Sequence, residues 1–397
     1  MQIPEGWEIK NISQISNLKK GVQFNKLDLD KEGLYPCING GVEPSGFSSK
    51  WNTEKNTITI SEGGNSCGYV NYINKSFWLG GHCYALLELK NSIVKEFLYQ
   101  ALKGVQDDIM DLRVGSGLPN IQQKAIKIFE VKIPKSTTEQ KKIAEILSKV
   151  DTAIEQTQSL ITKYQRIKTG LMQDLLTKGI DENGNIRSEE THEFKDSELG
   201  RIPKEWDCLP LIKCMELHNN LRKPISAIER EKIVGTYPYY GATGIIDRIN
   251  KYTVDGEFVL FGEDGDHFLK WNYQEQTIFV KGKFNVSNHA HIVKGNEKCS
   301  TEWIHHFFMH RDITFYLTRQ GAGRFKLNKE SISALPILVP KNPKEIDIIS
   351  SKINAITRII HDYMDKKDKI QSLKTALMQD LLSGKKRVNS LITDGEL

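Results

Sequence analysis

The sequence predicts an α+β fold written twice. It has two globular domains related by a pseudo-two-fold axis, each followed by a long helix, and the two helices pair as an antiparallel coiled coil. Three observations predict this. The block Lys168-Thr169-Gly170-Leu171-Met172-Gln173-Asp174-Leu175-Leu176 returns 206 positions later as Lys374-Thr375-Ala376-Leu377-Met378-Gln379-Asp380-Leu381-Leu382. Heptad stripes precede both copies in the same register. Other landmarks recur in the same order, so one unit has been duplicated across the 397 residues.

The repeat divides the chain into a globular domain over residues 1–135, a helical segment over 136–180 and a linker over 181–201. A second globular domain over 202–340, a second helical segment over 341–387 and a tail over 388–397 follow. Ile3-Pro4-Glu5-Gly6-Trp7 opens the first half and Ile202-Pro203-Lys204-Glu205-Trp206 the second. Ser61-Glu62-Gly63-Gly64 follows the apolar run Ile58-Thr59-Ile60, as Gly262-Glu263-Asp264-Gly265 follows Val259-Leu260-Phe261. Ile133-Pro134 is echoed by Val339-Pro340. Between these landmarks the halves diverge, which predicts one scaffold carrying two different surfaces.

Within the globular domains, short runs broken by Gly, Asn and Pro predict strands. They are Asn56–Ile60, Cys83–Leu87, Phe258–Phe261 and Thr277–Val280. Helices are predicted over Val94–Lys103 and Glu302–Met309. The long helices follow from composition and period. From Thr138 to about Thr177 there is no proline and one glycine, Gly170. Ile143, Leu147, Val150, Ile154, Thr157, Ile161, Tyr164, Lys168, Leu171 and Leu175 alternate in steps of four and three. In the second half, Ile349, Ile353, Ile356, Ile360, Tyr363, Lys367, Ile370, Lys374, Leu377 and Leu381 repeat the pattern. Neither stripe can stay exposed, so the helices are expected to pack on each other. The polar members Thr157, Lys168, Lys367 and Lys374 either fix the register or snorkel. Thr138, with Glu139 and Gln140, is the expected start of the first helix, and Pro343 sits near the start of the second, where proline is tolerated.

Net charge is +5, from 55 Lys and Arg against 50 Asp and Glu, which permits a polyanionic partner without requiring one. The six cysteines form no CxxC pair and predict reduced thiols in the cytoplasm. No apolar run approaches the ~20 residues of a membrane span, and no signal peptide opens the sequence, so no membrane partner is expected.

Both globular domains close on a glycine-rich basic loop. The first carries Arg113, Ser116 and Asn120, the second Arg319, Arg324, Lys326 and Asn328. Glycines let backbone amides approach a phosphate, and arginine makes bidentate contacts to phosphate or guanine. The competing reading is a tight turn with solvated arginines. Lys19 and Lys20 in the first half and Arg222 and Lys223 in the second occupy equivalent early places and join the same DNA-binding candidates, against the plainer reading of solvated lysines.

Catalytic signatures are missing. His306 and His310 have the spacing of a metal pair but lack the glutamate of HExxH, and Phe307 and Phe308 favour a core or surface role for His305 and His306. His289 and His291 alternate on a predicted strand, with His82 at the corresponding place in the first half. Glu263-Asp264-Gly265-Asp266 could chelate a cation, but Glu62-Gly63-Gly64-Asn65 lacks the acids. No P-loop, dinucleotide fingerprint, nucleophile elbow or adenine-methyltransferase motif is present. The sequence thus predicts no catalytic site and no metal site.

A duplicated domain-plus-helix chain of this kind resembles the specificity subunits of type I restriction-modification systems. The Ile-Pro-x-x-Trp openings, Phe194-Lys195-Asp196-Ser197-Glu198-Leu199-Gly200, the Glu-Gly motifs and the Leu-Met-Gln-Asp-Leu-Leu helix ends carry the resemblance, which spans essentially the whole chain. It implies that the globular parts are target-recognition domains, each reading one half of a bipartite asymmetric site in double-stranded DNA. The helix pair would be a ruler for the unread spacer. It would also dock two modification subunits, with Ile143, Leu147, Ile154, Leu171, Leu175, Ile353, Ile360, Leu377 and Leu381 forming the seam and docking surface. Two restriction subunits would join. S-adenosylmethionine, ATP and Mg would belong to those partners and none to this chain, a non-catalytic subunit. Two rivals stand against this: a coiled-coil adaptor that bridges proteins without touching DNA, and a metal-dependent nuclease built on the acids at 263–266.

Overall fold

The computed structural model describes residues 3–392 other than 26, 28, 31, 116 and 321–323. The chain forms two compact units, residues 1–159 with 364–397 and residues 160–363. The sequence boundaries at 135/136 and 340/341 therefore differ from the compact units, which divide inside the long helices. The first stretch of each helix packs with its own globular domain, and the last stretch packs with the other half's.

In the first unit the opening strand Trp7–Asn11 pairs antiparallel with Glu130–Pro134, placing Trp7 opposite Pro134. A four-stranded antiparallel sheet follows, in the order Asn17–Lys20, Cys83–Leu87, Thr57–Ser61 and Val70–Ile73. Thr57–Ser61 is buried at every position, as a central strand covered on both faces must be. A small sheet joins Phe47–Ser48, Tyr35–Ile38 and Trp78–Leu79. The helix Lys95–Gly104 presents Phe97, Leu98, Ala101 and Leu102 to a core that also holds Trp7, Ile58, Ile60 and Leu86.

The second unit repeats the plan. Trp206–Pro210 pairs with Pro336–Pro340, and Trp206 faces Pro340 as Trp7 faces Pro134. Its sheet has six strands in the order Met215–Leu217, Ala290–Gly295, Val254–Gly262, Thr277–Val286, Val234–Tyr240 and Ile245–Ile249. The parallel pairing of Tyr239 with Asn285 matches that of Cys37 with Trp78. The difference is continuity. Thr277–Val286 is one strand, whereas the first unit breaks the equivalent path between Val70–Ile73 and Trp78–Leu79. The turn-forming Asn74-Lys75-Ser76 sits at that break. The linker 181–201 is partly ordered as a hairpin: Phe194–Ser197 pairs with Gly200–Pro203.

The long helices are Thr137–Leu175 and Pro343–Leu381, 39 residues each and so ~60 Å long at ~1.5 Å per residue. The first starts one residue earlier than expected, at Thr137. Ser136, not Thr138, caps it, its Oγ accepting the Glu139 amide at 3.3 Å. Asn342 caps the second through the Lys344 amide at 3.1 Å, leaving Pro343 where a missing N–H costs nothing. The helices run antiparallel. In the first unit Asp151 pairs with Lys374 at 2.5 Å and Gln158 accepts from Lys367 at 2.7 Å. In the second, Tyr164 stacks on Tyr363 with centroids 5.6 Å apart. Partner numbers thus fall on one helix as they rise on the other. Lys367 and Lys374 make cross-helix bonds, so these two polar seam positions are register contacts. Lys168 reaches Glu275 at 3.9 Å, and Thr157 bonds back to the Ala153 carbonyl.

The seam is less purely helix-on-helix than the heptads imply. Ile143, Leu147 and Leu381 belong to the first globular core, and Leu175 and Ile353 to the second. Ile360 is also buried, while Ile154, Leu171 and Leu377 are half-buried. The buried members Ile143, Leu147, Leu175, Ile353, Ile360 and Leu381 hold the fold together, while Ile154, Leu171 and Leu377 stay partly exposed. Outward-facing apolar groups on the helices are instead Ile167 and Leu373, equivalent positions in the repeat, with Ile348, Ile359 and Met364. Among the described residues no helix is long and apolar enough to cross a membrane.

Candidate nucleic-acid interface

Each central strand ends in a glutamate that organises the adjacent glycine-rich loop. In the first unit the Glu62 carbonyl accepts the Ile121 amide at 2.8 Å, and the Gly64 amide donates to the Pro119 carbonyl at 3.0 Å. Val114 and Asn120 exchange backbone bonds of 2.8 and 3.0 Å, closing the base of the loop. In the second unit the Glu263 carbonyl accepts Leu327 at 2.8 Å, and Gly265 donates to Phe325 at 3.1 Å. Gly64 and Gly265 sit at φ +75° and +129°, where a side chain would be strained. The loops are therefore held by the same bonds at positions that match across the repeat.

The carboxylates gather the basic neighbours. Glu62 takes Lys20 at 2.6 Å and the Tyr84 hydroxyl at 2.7 Å. Burial, with that carboxylate beside it, pushes the Tyr84 phenol well up. Glu263 takes Arg222 at 2.5 Å and Lys326 at 3.3 Å. Burial alone would raise its carboxyl, but Arg222, His291 and Lys326 together hold it below the usual range. Lys20, Arg222 and Lys326 thus carry paired charges. Asn328 is engaged differently, capping the helix Lys329–Ala334 through the Ser331 amide at 2.8 Å.

The remaining candidates face outward. Lys19 and Lys223 are exposed, as are Arg113, Asn120, Arg319 and Arg324 on the loops. Arg319 lies over the Phe325 ring, 5.1 Å from its centroid. Ser116 and the Gly321-Ala322-Gly323 turn lie outside the described residues. Each unit brings its own loop and early basic pair to one strand end. The recurrence of Glu62 and Glu263 after equivalent strands is the sequence signal that they organise the site.

The histidines take structural places. His305 meets Thr277 Oγ1 at 2.9 Å, and His310 meets the Trp271 carbonyl at 3.1 Å. His291 bonds Asn219 and the Leu327 carbonyl, and His289 pairs with Asp264 at 3.0 Å. His82 lies 4.0 Å from Glu62. Among the described residues no group of three or more His, Cys, Asp or Glu is arranged to hold a metal ion.

The family model described as the type I restriction modification DNA specificity domain matches residues 4–163 and again 203–375. A putative type I specificity subunit of Mycoplasma pneumoniae is 32% identical over 238 residues, which span 59% of this chain and 59% of that subunit. A type I restriction enzyme specificity subunit of Methanocaldococcus jannaschii is 23% identical over 98% of this chain and 95% of its own length. Among solved structures, the S subunit of a type I restriction-modification system from M. genitalium superposes with a TM-score of 0.71 at 20% identity, covering 96% of this chain and 98% of that one.

Proposed function

The chain belongs to the type I restriction-modification DNA specificity family, and from that premise we propose that it is the non-catalytic, DNA-reading subunit of such a system. Each globular domain reads one half of a bipartite asymmetric site in double-stranded DNA. The helix pair sets the unread spacer and docks two modification subunits, and two restriction subunits complete the assembly. S-adenosylmethionine, ATP and Mg are bound and used by those partners, in the cytoplasm.

The observation that carries this reading is the matched loop. Bonds from Glu62 to Ile121 and from Glu263 to Leu327, both 2.8 Å, hold basic loops of different sequence on equivalent strand ends. Duplicated scaffold with divergent tips is what two unlike half-sites require. Exposed Arg113, Arg319, Lys19 and Lys223 supply phosphate contacts, which set register and dominate affinity. Methyl transfer to a base needs that base turned out of the stack, so the reader must leave room for an enzyme. A helix pair does so. Ile167 and Leu373, outward-facing at equivalent positions, suit one kind of partner docking twice.

The test is to co-purify the chain with its modification subunits and select from a random duplex library. The expected result is a bipartite consensus, with affinity falling as salt rises. No enrichment and no salt dependence would favour a protein-only adaptor. Cleavage of DNA by the purified chain with Mg²⁺ alone would favour a nuclease.

A further inference from the structure

We infer that one residue beside the glycine-rich turn sets base preference in each half-site. Leu118 in the first unit takes a thymine methyl group, and Arg324 in the second takes a guanine edge. This deepens the DNA-reading function proposed above and rests on it.

The anchoring bonds establish which positions correspond. Ile121 and Leu327 bond to the equivalent glutamate carbonyls, and Pro119 and Phe325 accept from the equivalent glycines. Counting from those bonds, Arg113 matches Arg319, Leu118 matches Arg324, and Asn120 matches Lys326. The arginine at the loop entrance is thus kept in both units. A kept charge suits the phosphate backbone, which carries no sequence information. Leu118 and Arg324 differ completely in chemistry, as base readers for unlike half-sites must.

Neighbouring side chains narrow the choice. In the second unit Lys326 is held by Glu263, and Phe325 lies under Arg319. Of the divergent positions there, Arg324 is the exposed cation. In the first unit Pro119 is half-buried and has no donor, and Asn120 is exposed beside Leu118. Leu118 is 87% exposed and lies between Val114 and Asn120, whose backbone bonds close the base of the loop. Leu118 belongs to neither apolar cluster of its unit. Apolar contact with the thymine methyl and bidentate arginine contact with guanine O6 and N7 are the two major-groove readouts these side chains make.

The experiment uses the full chain with its modification subunits and a random duplex library, with the methylated motif sequenced in cells as a second readout. Leu118→Ala is expected to lower discrimination for thymine at one position of one half-site by about tenfold, leaving the other half-site unchanged. Leu118→Arg is expected to move that position toward guanine. Arg324→Leu is expected to relax one guanine in the opposite half. Arg113→Ala, by contrast, lowers affinity across all sequences and reduces the salt slope by about one. Co-purification with the modification subunits and an unchanged thermal melt confirm that each variant folds. Unchanged half-sites in folded Leu118→Arg and Arg324→Leu complexes overturn the loop assignment while leaving the DNA-reading function intact. A wild-type complex that enriches no sequence overturns both.

Discussion

Arg387, beyond the end of the second long helix, grips Glu139 in the first turn of the first long helix. Its Nε lies 2.6 Å from Oε1 and its Nη2 2.9 Å from Oε2, while Nη1 donates to the Glu5 carbonyl at 2.7 Å. The second unit repeats the arrangement with the halves exchanged. Arg187, beyond the end of the first helix, meets Glu345 in the first turn of the second at 2.5 and 3.1 Å. Glu345 also accepts the Ile180 amide at 2.9 Å and the Trp206 indole at 3.2 Å. Each half of the sequence therefore supplies the arginine that neutralises the other half's glutamate.

The two pairs should differ in strength. Arg187 and Glu345 are only 9% and 6% exposed, whereas Arg387 is about a third exposed. Glu345→Gln leaves a buried guanidinium unpaired and is expected to cost about 3–5 kcal/mol. Glu139→Gln should cost less, because water reaches Arg387. Urea unfolding of the two variants checks the order, and an equal or reversed cost would contradict it.

Arg222→Ala and Arg113→Ala should separate stability from recognition. Arg222 is bonded to Glu263 and to the Asn288 and Asn219 carbonyls, so its loss is expected to lower the melting temperature. Arg113 is exposed, and its loss should leave the melt unchanged while weakening DNA retention. Calorimetry alongside a filter-binding assay measures both.

Stability should fall on acidification. Burial, with Lys168 among the nearby cations, pushes His305 down to about 3 and His306 down to about 4. In the unfolded chain each titrates near its ordinary 6.5. Below that pH the unfolded state takes up protons that the folded state refuses. The loss begins near 6.5 and continues until each folded value is reached, about 2 kcal/mol per histidine at pH 5. Urea midpoints at pH 7 and pH 5 test this, and a His306→Gln variant should show a shallower fall than the parent.

Spacer length should follow helix length. Seven residues inserted between 159 and 160, and seven more between 363 and 364, lengthen both helices between the Gln158–Lys367 and Tyr164–Tyr363 contacts. The gain is ~10 Å, roughly three base pairs at ~3.4 Å each. The methylated motif is expected to keep both half-sites and widen only the gap. Altered half-sites would sink the ruler.

The sequence by itself determined the duplication, the two long helices, their shared register and the strands that bear the landmarks. These follow from local periodicity and repetition, which survive without knowledge of partners. The Ile-Pro-x-x-Trp openings and the Ile-Pro and Val-Pro closings were legible as landmarks, but only folding made them one strand pair, Trp7 to Pro134 and Trp206 to Pro340. Tertiary structure also decided which charges are available. Arg222 and Arg319 are both basic candidates in the sequence, yet Glu263 draws Arg222 inward while Arg319 stays exposed. It decided that Ile143, Leu147, Leu175 and Ile353 serve globular cores as well as a helix seam. It placed Arg187 on Glu345 and Arg387 on Glu139, pairs separated by 158 and 248 residues. Such contacts depend on where the chain returns in space, and no local pattern encodes a return.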